Sequence, residues 1–264
     1  MKKEIGLALG SGAVRGYALI PVIQELEENN IDISAVSGSS IGALIGAYYA
    51  LFGEVNTFHR TVSGMKKNDF LKLVDPNNPK LSLIKGRKIK EFLQDRFFGD
   101  KRFEDCKKKL TVCATDFVKK QPVYFRKGKI IDAVMASISL PGIFPLYEKD
   151  GRFFMDGGVM EPVPVKPLRE QGMKKILAVN LMGYDLDFKK PGKDMFSTLM
   201  TTFYLMMEKL AKHEDDERLF TADLIFKPDP ANMLAFYEWE KYFEAGQDYM
   251  AEHGNEIMGW AASS

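Results

Sequence analysis

One stretch, residues 33–51, constrains the fold of this chain more than any other. It begins with the apolar positions Ile33, Ala35 and Val36 and passes through Ser37-Gly38-Ser39-Ser40-Ile41-Gly42. It continues as Ala43-Leu44-Ile45-Gly46-Ala47-Tyr48-Tyr49-Ala50-Leu51. That order predicts a short buried strand, a turn of small residues and an Ala-rich apolar helix. Gly38-x-Ser40-x-Gly42 has the spacing of a nucleophile elbow, in which a serine sits on a sharp strand-to-helix turn. Small residues two before and two after the serine let strand and helix approach closely. The hydroxyl is lifted out of the sheet beside the helix N-terminus, where free N–H groups and the dipole favour negative charge. A Ser/Gly turn before any core helix looks the same over five residues, so the pattern needs support from the rest of the chain.

The flanking sequence supplies an alternation of strands and helices. Ile5 to Leu9 is a short apolar run ending at Gly10, which suits a buried parallel strand. Gly10-Ser11-Gly12-Ala13-Val14-Arg15-Gly16 is a loop of small residues with one cation. A helix from Tyr17 to Glu28 follows, with Leu19, Val22, Ile23 and Leu26 on one face and Asn29-Asn30 at its end. With the elbow this makes a βαβα start, the signature of a mostly parallel sheet covered by helices. Residues 54–98 read as helical around the loop Asp75-Pro76-Asn77-Asn78-Pro79. Leu110–Phe117 and Val123–Phe125 read as paired strands, and Ile130–Ile138 as a helix. A hairpin turns at Lys149-Asp150-Gly151 and leads to Asp156-Gly157-Gly158. Ile176–Asn180 is a further strand, Gly183–Lys193 a polar loop, Met195–Phe220 a long helix, Leu224–Phe226 a last strand and Trp239–Met250 a closing helix. The expectation is one three-layer α/β/α domain over residues 1–264.

Composition narrows the class. The chain has 264 residues, enough for one large α/β domain, and 45% hydrophobic residues, as in ordinary globular proteins. A formal net charge of +1 gives no argument for nucleic acid or for an acidic partner. The two cysteines, Cys106 and Cys113, suggest neither a disulfide framework nor a zinc site. Met1-Lys2-Lys3 before an apolar run resembles a signal peptide, but Glu4, the glycines and Arg15 argue against one. No uncharged run reaches the roughly 20 residues of a membrane span. A cytoplasmic location is expected, with transient contact at a membrane surface if the substrate is a lipid. No cofactor or metal is expected.

Three loops fall at strand ends, where an open α/β sheet places its chemistry: residues 10–16, 37–42 and 156–158. Ser40 is the nucleophile candidate, the glycine-rich loop offers unobstructed backbone N–H groups, and Asp156 is a carboxylate that could serve as base. The combination resembles the patatin-like phospholipases, serine lipid acyl hydrolases with a Ser–Asp dyad. Ser11-Gly12-Ala13-Val14-Arg15-Gly16 matches the family's oxyanion loop G-G-G-x-R/K-G. Gly38 to Gly42 matches its nucleophile motif and Asp156-Gly157-Gly158 its acid motif, with Ser137–Pro145 resembling the segment before it. The resemblance runs from Ile5 to about Leu181, in the family's order. It implies a Ser40–Asp156 dyad, oxyanion donors at the N–H groups of Gly12 and Ala13 with Ile41 as a further donor, and a phospholipid or lysophospholipid ester as substrate. Gly10, Gly16, Gly38, Gly42, Gly157 and Gly158 are then supporting glycines, and Arg15 a loop anchor or an anion contact. Ser11 and Ala13 depart from the family's glycines. Ala13 would matter if its position needed positive φ.

Other readings are weighed on particular residues. Ser40…Asp156…His253 is the chain order of an α/β-hydrolase triad, but His253 sits in the polar stretch Glu252-His253-Gly254-Asn255, not after a strand. His59 and His213 read as solvated helix positions. A dinucleotide fold needs an acid at the end of its second strand, where this chain has Val36-Ser37-Gly38. A catalytically weak lipid-binding or regulatory module on the same scaffold has no need of a serine on an elbow. The helix after Met195 carries Phe196, Leu199, Met200, Phe203, Tyr204, Met206 and Met207. It reads as core, or as a lipid-contacting flank for which flexible methionines are suited.

Overall fold

The computed structural model describes residues 4–184, 195–212, 218–226 and 235–263. The chain opens with β1 (Glu4–Leu9), a 3-10 segment Ala13–Ala18, α1 (Leu19–Glu28), β2 (Asp32–Ser39) and α2 (Ile41–Phe52). Three short helices follow, α3 (Asn56–Ser63), α4 (Lys67–Lys72) and α5 (Arg87–Leu93), then β3 (Lys109–Asp116), β4 (Gln121–Phe125) and α6 (Ile130–Ser137). The hairpin β5 (Tyr147–Lys149) and β6 (Arg152–Asp156) leads to α7 (Lys166–Glu170) and β7 (Ile176–Tyr184). The last elements are α8 (Met195–Ala211), β8 (Leu219–Phe226) and α9 (Trp239–Ala262).

The parallel core runs β3-β2-β1-β7-β8. Side-chain alternation along its strands divides the apolar residues between two faces. Leu7, Leu9, Ile33 and Val36 pack with α1, α2 and α9 on one side. Ala8, Ala35 and Ala178 face Leu168 of α7 and Met200, Tyr204 and Met207 of α8 on the other. Helices therefore cover both faces. α2 is buried on nearly all sides, which explains its small residues: a Cβ at Gly46 would lie 3.0 Å from Val36 and 3.1 Å from Leu9.

The pairing of β3 fixes how the sheet ends. β2 runs parallel along residues 109–113 of β3, while β4 pairs antiparallel along 112–116, so the two must flank β3 on opposite sides. β6 pairs antiparallel with residues 114–116, which β4 also holds, so β6 lies on the β2 side. β2 and β6 thus approach each other head-on along one flank of β3. Ser39 sits opposite Cys113 and Asp156 opposite Ala114, one residue further on. Beyond that junction the sheet continues as an antiparallel extension, β4-β3-β6-β5.

Several sequence expectations are corrected. The helix expected over Met195–Phe220 stops at Ala211, and Leu219–Phe226 is a strand beside β7. The run from Lys212 to Arg218 is charged apart from a histidine, so it offers no apolar stripe to bury, and Ala222, Leu224 and Phe226 then alternate inward. The closing helix extends from Trp239 to Ala262, because Gly254, Ile257 and Ala261 continue the buried stripe of Gly246 and Met250. His59 is not a solvated position: its ring stacks on Phe243 at 4.3 Å and meets Trp239 edge-on at 5.3 Å, and burial lowers its pKa. β7 extends to Tyr184, and the rest of the expected polar loop and His213 lie outside the described residues. Among the described residues no helix is long and apolar enough to cross a membrane.

Candidate active site

The junction of β2 and β6 brings Ser40 and Asp156 together. Ser40 is the N-cap of α2 with φ 55° and ψ −123°, a region costing a non-glycine residue of order 1–3 kcal/mol. The elbow holds it there because the strand and helix cannot separate. A Cβ at Gly38 would fall 2.6 Å from the Ala43 nitrogen, and one at Gly42 2.7 Å from the Gly10 carbonyl oxygen. The Ser40 N–H donates to Ser137 Oγ at 2.9 Å, and the Ser137 hydroxyl donates to the Cys113 carbonyl at 2.6 Å. The strained residue is thus tied through α6 to β3.

Asp156 is 1% exposed. The Ser40 hydroxyl donates to its Oδ2 at 2.6 Å, and the Gly158 N–H donates to Oδ1 at 2.8 Å. Its own N–H donates to the Ser139 carbonyl, and its carbonyl accepts from Thr115 Oγ1. Burial pushes the carboxyl pKa up to about 7, against the two hydrogen bonds that favour the charged form. Such a group exchanges protons near neutrality, which an ordinary aspartate cannot do. The Ser40–Asp156 contact is direct, with no imidazole between them. His253 lies on α9, against the Tyr249 ring and 3.8 Å from Glu252.

The loop of residues 10–16 closes one side. Gly10 N–H donates to Val179 O and Ser11 N–H to Pro162 O, which ties the loop to the middle of β7 and to the segment after β6. Gly16 packs against the Ile41 side chain, and Gly158 lies against Ser11 and Met207 of α8. Among the described residues, the N–H groups of Gly12, Ala13 and Ile41 donate to no protein acceptor. Arg15, 3% exposed, donates to the Leu181 carbonyl at 3.1 Å, its guanidinium 5.2 Å from the Tyr204 ring centre and 5.7 Å from that of Phe226. These contacts hold the loop to β7, α8 and β8. Gly157 sits over Cys113 and Ser39, where no side chain would fit.

Ala13 has φ 50°, the positive value that the sequence left as a condition. The left-handed region costs an L-residue about 1–2 kcal/mol, more than the unfolded-state entropy that alanine saves. Ala13→Gly should therefore stabilise the protein by about 0.5–1 kcal/mol. The midpoint of urea unfolding checks this, and a fall in the midpoint would show that the Ala13 methyl's packing outweighs the strain.

Sequence reasoning missed Ser137 and Ser139 as site members. They stand at the end of α6, in a stretch noted only for its place before the acid motif. Their signal is weak: two serines before Pro141-Gly142, both bonded to backbone carbonyls.

A family model described as patatin-like phospholipase matches residues 7–169, more than half of the chain. The chain belongs to the patatin-like phospholipase family. The matched region contains the loop of residues 10–16, the elbow and the Asp156 turn. An uncharacterized NTE family protein of Mycobacterium tuberculosis is 35% identical over 180 residues, covering 68% of this chain and 49% of that protein. Lysophospholipase NTE1 of Cryptococcus neoformans is 32% identical over 186 residues, 69% of this chain and 11% of that one. The chain thus spans about half the length of the mycobacterial relative and about a tenth of the fungal one. The crystal structure of VipD from Legionella pneumophila aligns with a TM-score of 0.47 at 13% identity, over 95% of this chain and 67% of that chain.

Proposed function

We propose that this patatin-like chain is a serine acyl hydrolase that cleaves carboxylic ester bonds of phospholipids or lysophospholipids through Ser40 and Asp156. The observation that carries the reading is the direct 2.6 Å hydrogen bond from a serine on a helix N-terminus to a buried carboxylate. In the first step the Ser40 proton passes to Asp156 Oδ2 as Oγ attacks the ester carbonyl carbon. The N–H groups of Gly12, Ala13 and Ile41 receive the oxyanion, aided by the α2 dipole. The tetrahedral intermediate collapses, the alcohol leaves with the proton from Asp156, and the acyl group stays on Ser40. Water then gives its proton to Asp156 as it attacks the acyl-enzyme, and the fatty acid departs as Ser40 recovers its hydrogen. The substrate class is supported by family membership and by the name lysophospholipase on the fungal relatives.

An active-site organophosphonate should label Ser40 alone, and Ser40→Ala should abolish labelling and lysophospholipid hydrolysis together. Mass spectrometry of the labelled peptide makes the test. Labelling that persists in Ser40→Ala would overturn the assignment, adjacent Ser39 included.

A further inference from the structure

The antiparallel extension ends in a feature the chemistry at Ser40 does not use. β3 continues past Ala114, the residue opposite Asp156. At about 3.3 Å per residue, Phe117 stands about 10 Å beyond the dyad, at the end of the sheet towards which the site faces. There the turn between β3 and β4 exposes Phe117 (49%) and Val118 (67%), and the start of β6 exposes Phe153 (38%). The Phe117 N–H donates to the Phe153 carbonyl at 2.9 Å, so the two phenylalanine backbones are joined. Turns are built from small and polar residues, and large apolar side chains at the tip of one call for a partner.

The tip is held rigidly. Asp116, buried beneath it, accepts the N–H groups of Val118 at 3.1 Å and Lys119 at 2.8 Å, and pairs with Arg152 at 2.6 Å. Arg152 thereby neutralises the acid closest to the turn. Lys119 and Lys120 are exposed and form no ion pair among the described residues. Of the nearby acids, Asp150 lies 3.6 Å from Lys149, and Glu148 faces Phe153 across the hairpin. Apolar side chains at a tip, flanked by cations with long aliphatic stems, suit the boundary between acyl chains and phosphate head groups. α8 also exposes Met195, Leu199 and Met206, but both its ends adjoin chain outside the described residues, so nothing fixes what covers that face.

We propose that this tip docks the protein on an anionic lipid bilayer, with Phe117, Val118 and Phe153 entering the interface and Lys119 and Lys120 meeting lipid phosphates. The proposal rests on the lipid-ester reading of the site and names the surface from which that substrate is drawn. The test is co-sedimentation with vesicles of phosphatidylcholine, with and without phosphatidylglycerol, in a Ser40→Ala background so that no lipid is consumed. Binding should require the anionic lipid. It should fall about tenfold or more in Phe117→Ser/Val118→Ser, which removes the apolar area that would leave water on docking, and comparably in Lys119→Glu/Lys120→Glu. With Ser40 intact, both pairs should hydrolyse a soluble p-nitrophenyl ester at the parent rate yet lose vesicle hydrolysis. Unchanged vesicle binding in both pairs would overturn the proposal, as would equal binding to neutral vesicles. Loss of self-association in the variants, with vesicle binding retained, would assign the tip to a second copy of the chain and also overturn it. Tip-dependent binding by a protein that hydrolyses no ester would sink the enzymatic reading and leave the docking face standing.

Discussion

Asp156→Asn should cut ester hydrolysis by on the order of 10²–10⁴ in kcat/KM, while making the folded protein more stable above neutral pH. Both effects come from one buried carboxyl. The folded-state pKa is raised from 3.8 to about 7, so between those values the folded state holds a proton that the unfolded chain has released. The stabilisation is complete below the unfolded pKa and is lost as pH rises through the folded one. The rise corresponds to about 4 kcal/mol of destabilisation by the ionised form at 1.36 kcal/mol per pH unit. Asparagine keeps the shape and removes the charge. Its melting temperature should exceed that of the parent at about pH 8, with the gap narrowing steadily below about pH 7 and closing near about pH 4. The parent's kcat/KM should climb with pH through a midpoint near about 7 and level off about one unit above it, since a base must be unprotonated to act. His253→Ala should change neither profile. Near-normal hydrolysis in Asp156→Asn would remove that residue from the mechanism, and a severe loss in His253→Ala would replace the dyad by a triad.

Gly42→Ala should abolish labelling of Ser40 and destabilise the fold by about 3 kcal/mol or more, the upper end for forcing atoms into a packed interior. The added methyl would meet the backbone of Leu9 and lie 2.7 Å from the Gly10 oxygen. Neither neighbour is a flexible side-chain tip that could swing aside. To make room, α2 must lift from β1, which moves Ser40 and the start of the loop of residues 10–16 apart. Gly46→Ala is the control. Its methyl meets side chains of Val36 and Leu9 at 3.0 and 3.1 Å, so it should cost less and leave labelling intact. Denaturant unfolding beside organophosphonate labelling reads both outcomes. A fully labelled, stable Gly42→Ala would show that the elbow tolerates a wider helix-to-strand spacing than its packing implies.

The elbow was legible because its glycines answer a purely local demand, the close passage of a helix over its own strand. The parallel core was legible for a similar reason, since β1 and β7 carry short apolar runs, Ile5–Leu9 and Ile176–Val179, and β2 leads directly into the elbow. The meeting of β2 with β6 was not. It depends on three residues of β3 that follow its last contact with β2, and such short pairing leaves no periodic trace. Ser137 and Ser139 were hidden because hydroxyls bonded to carbonyls follow no repeat. His59 was misjudged because its aromatic neighbours, Trp239 and Phe243, lie some 180 residues away in the chain. The end of α8 was misplaced because charged residues read equally well as the solvated face of a longer helix.

The head-on junction also governs when activity can appear during folding. Ser40 belongs to the βαβα unit, whose contacts are comparatively local, whereas Asp156 arrives 116 residues later along the chain. Asp156 reaches Ser40 only through the pairing of β6 with the end of β3, a contact separate from those that build the parallel core. Any species that has built the parallel core without adding β6 holds a nucleophile with no proton acceptor. On the proposed Ser40–Asp156 mechanism such a species is inert, so hydrolysis waits on the pairing of β6 with β3.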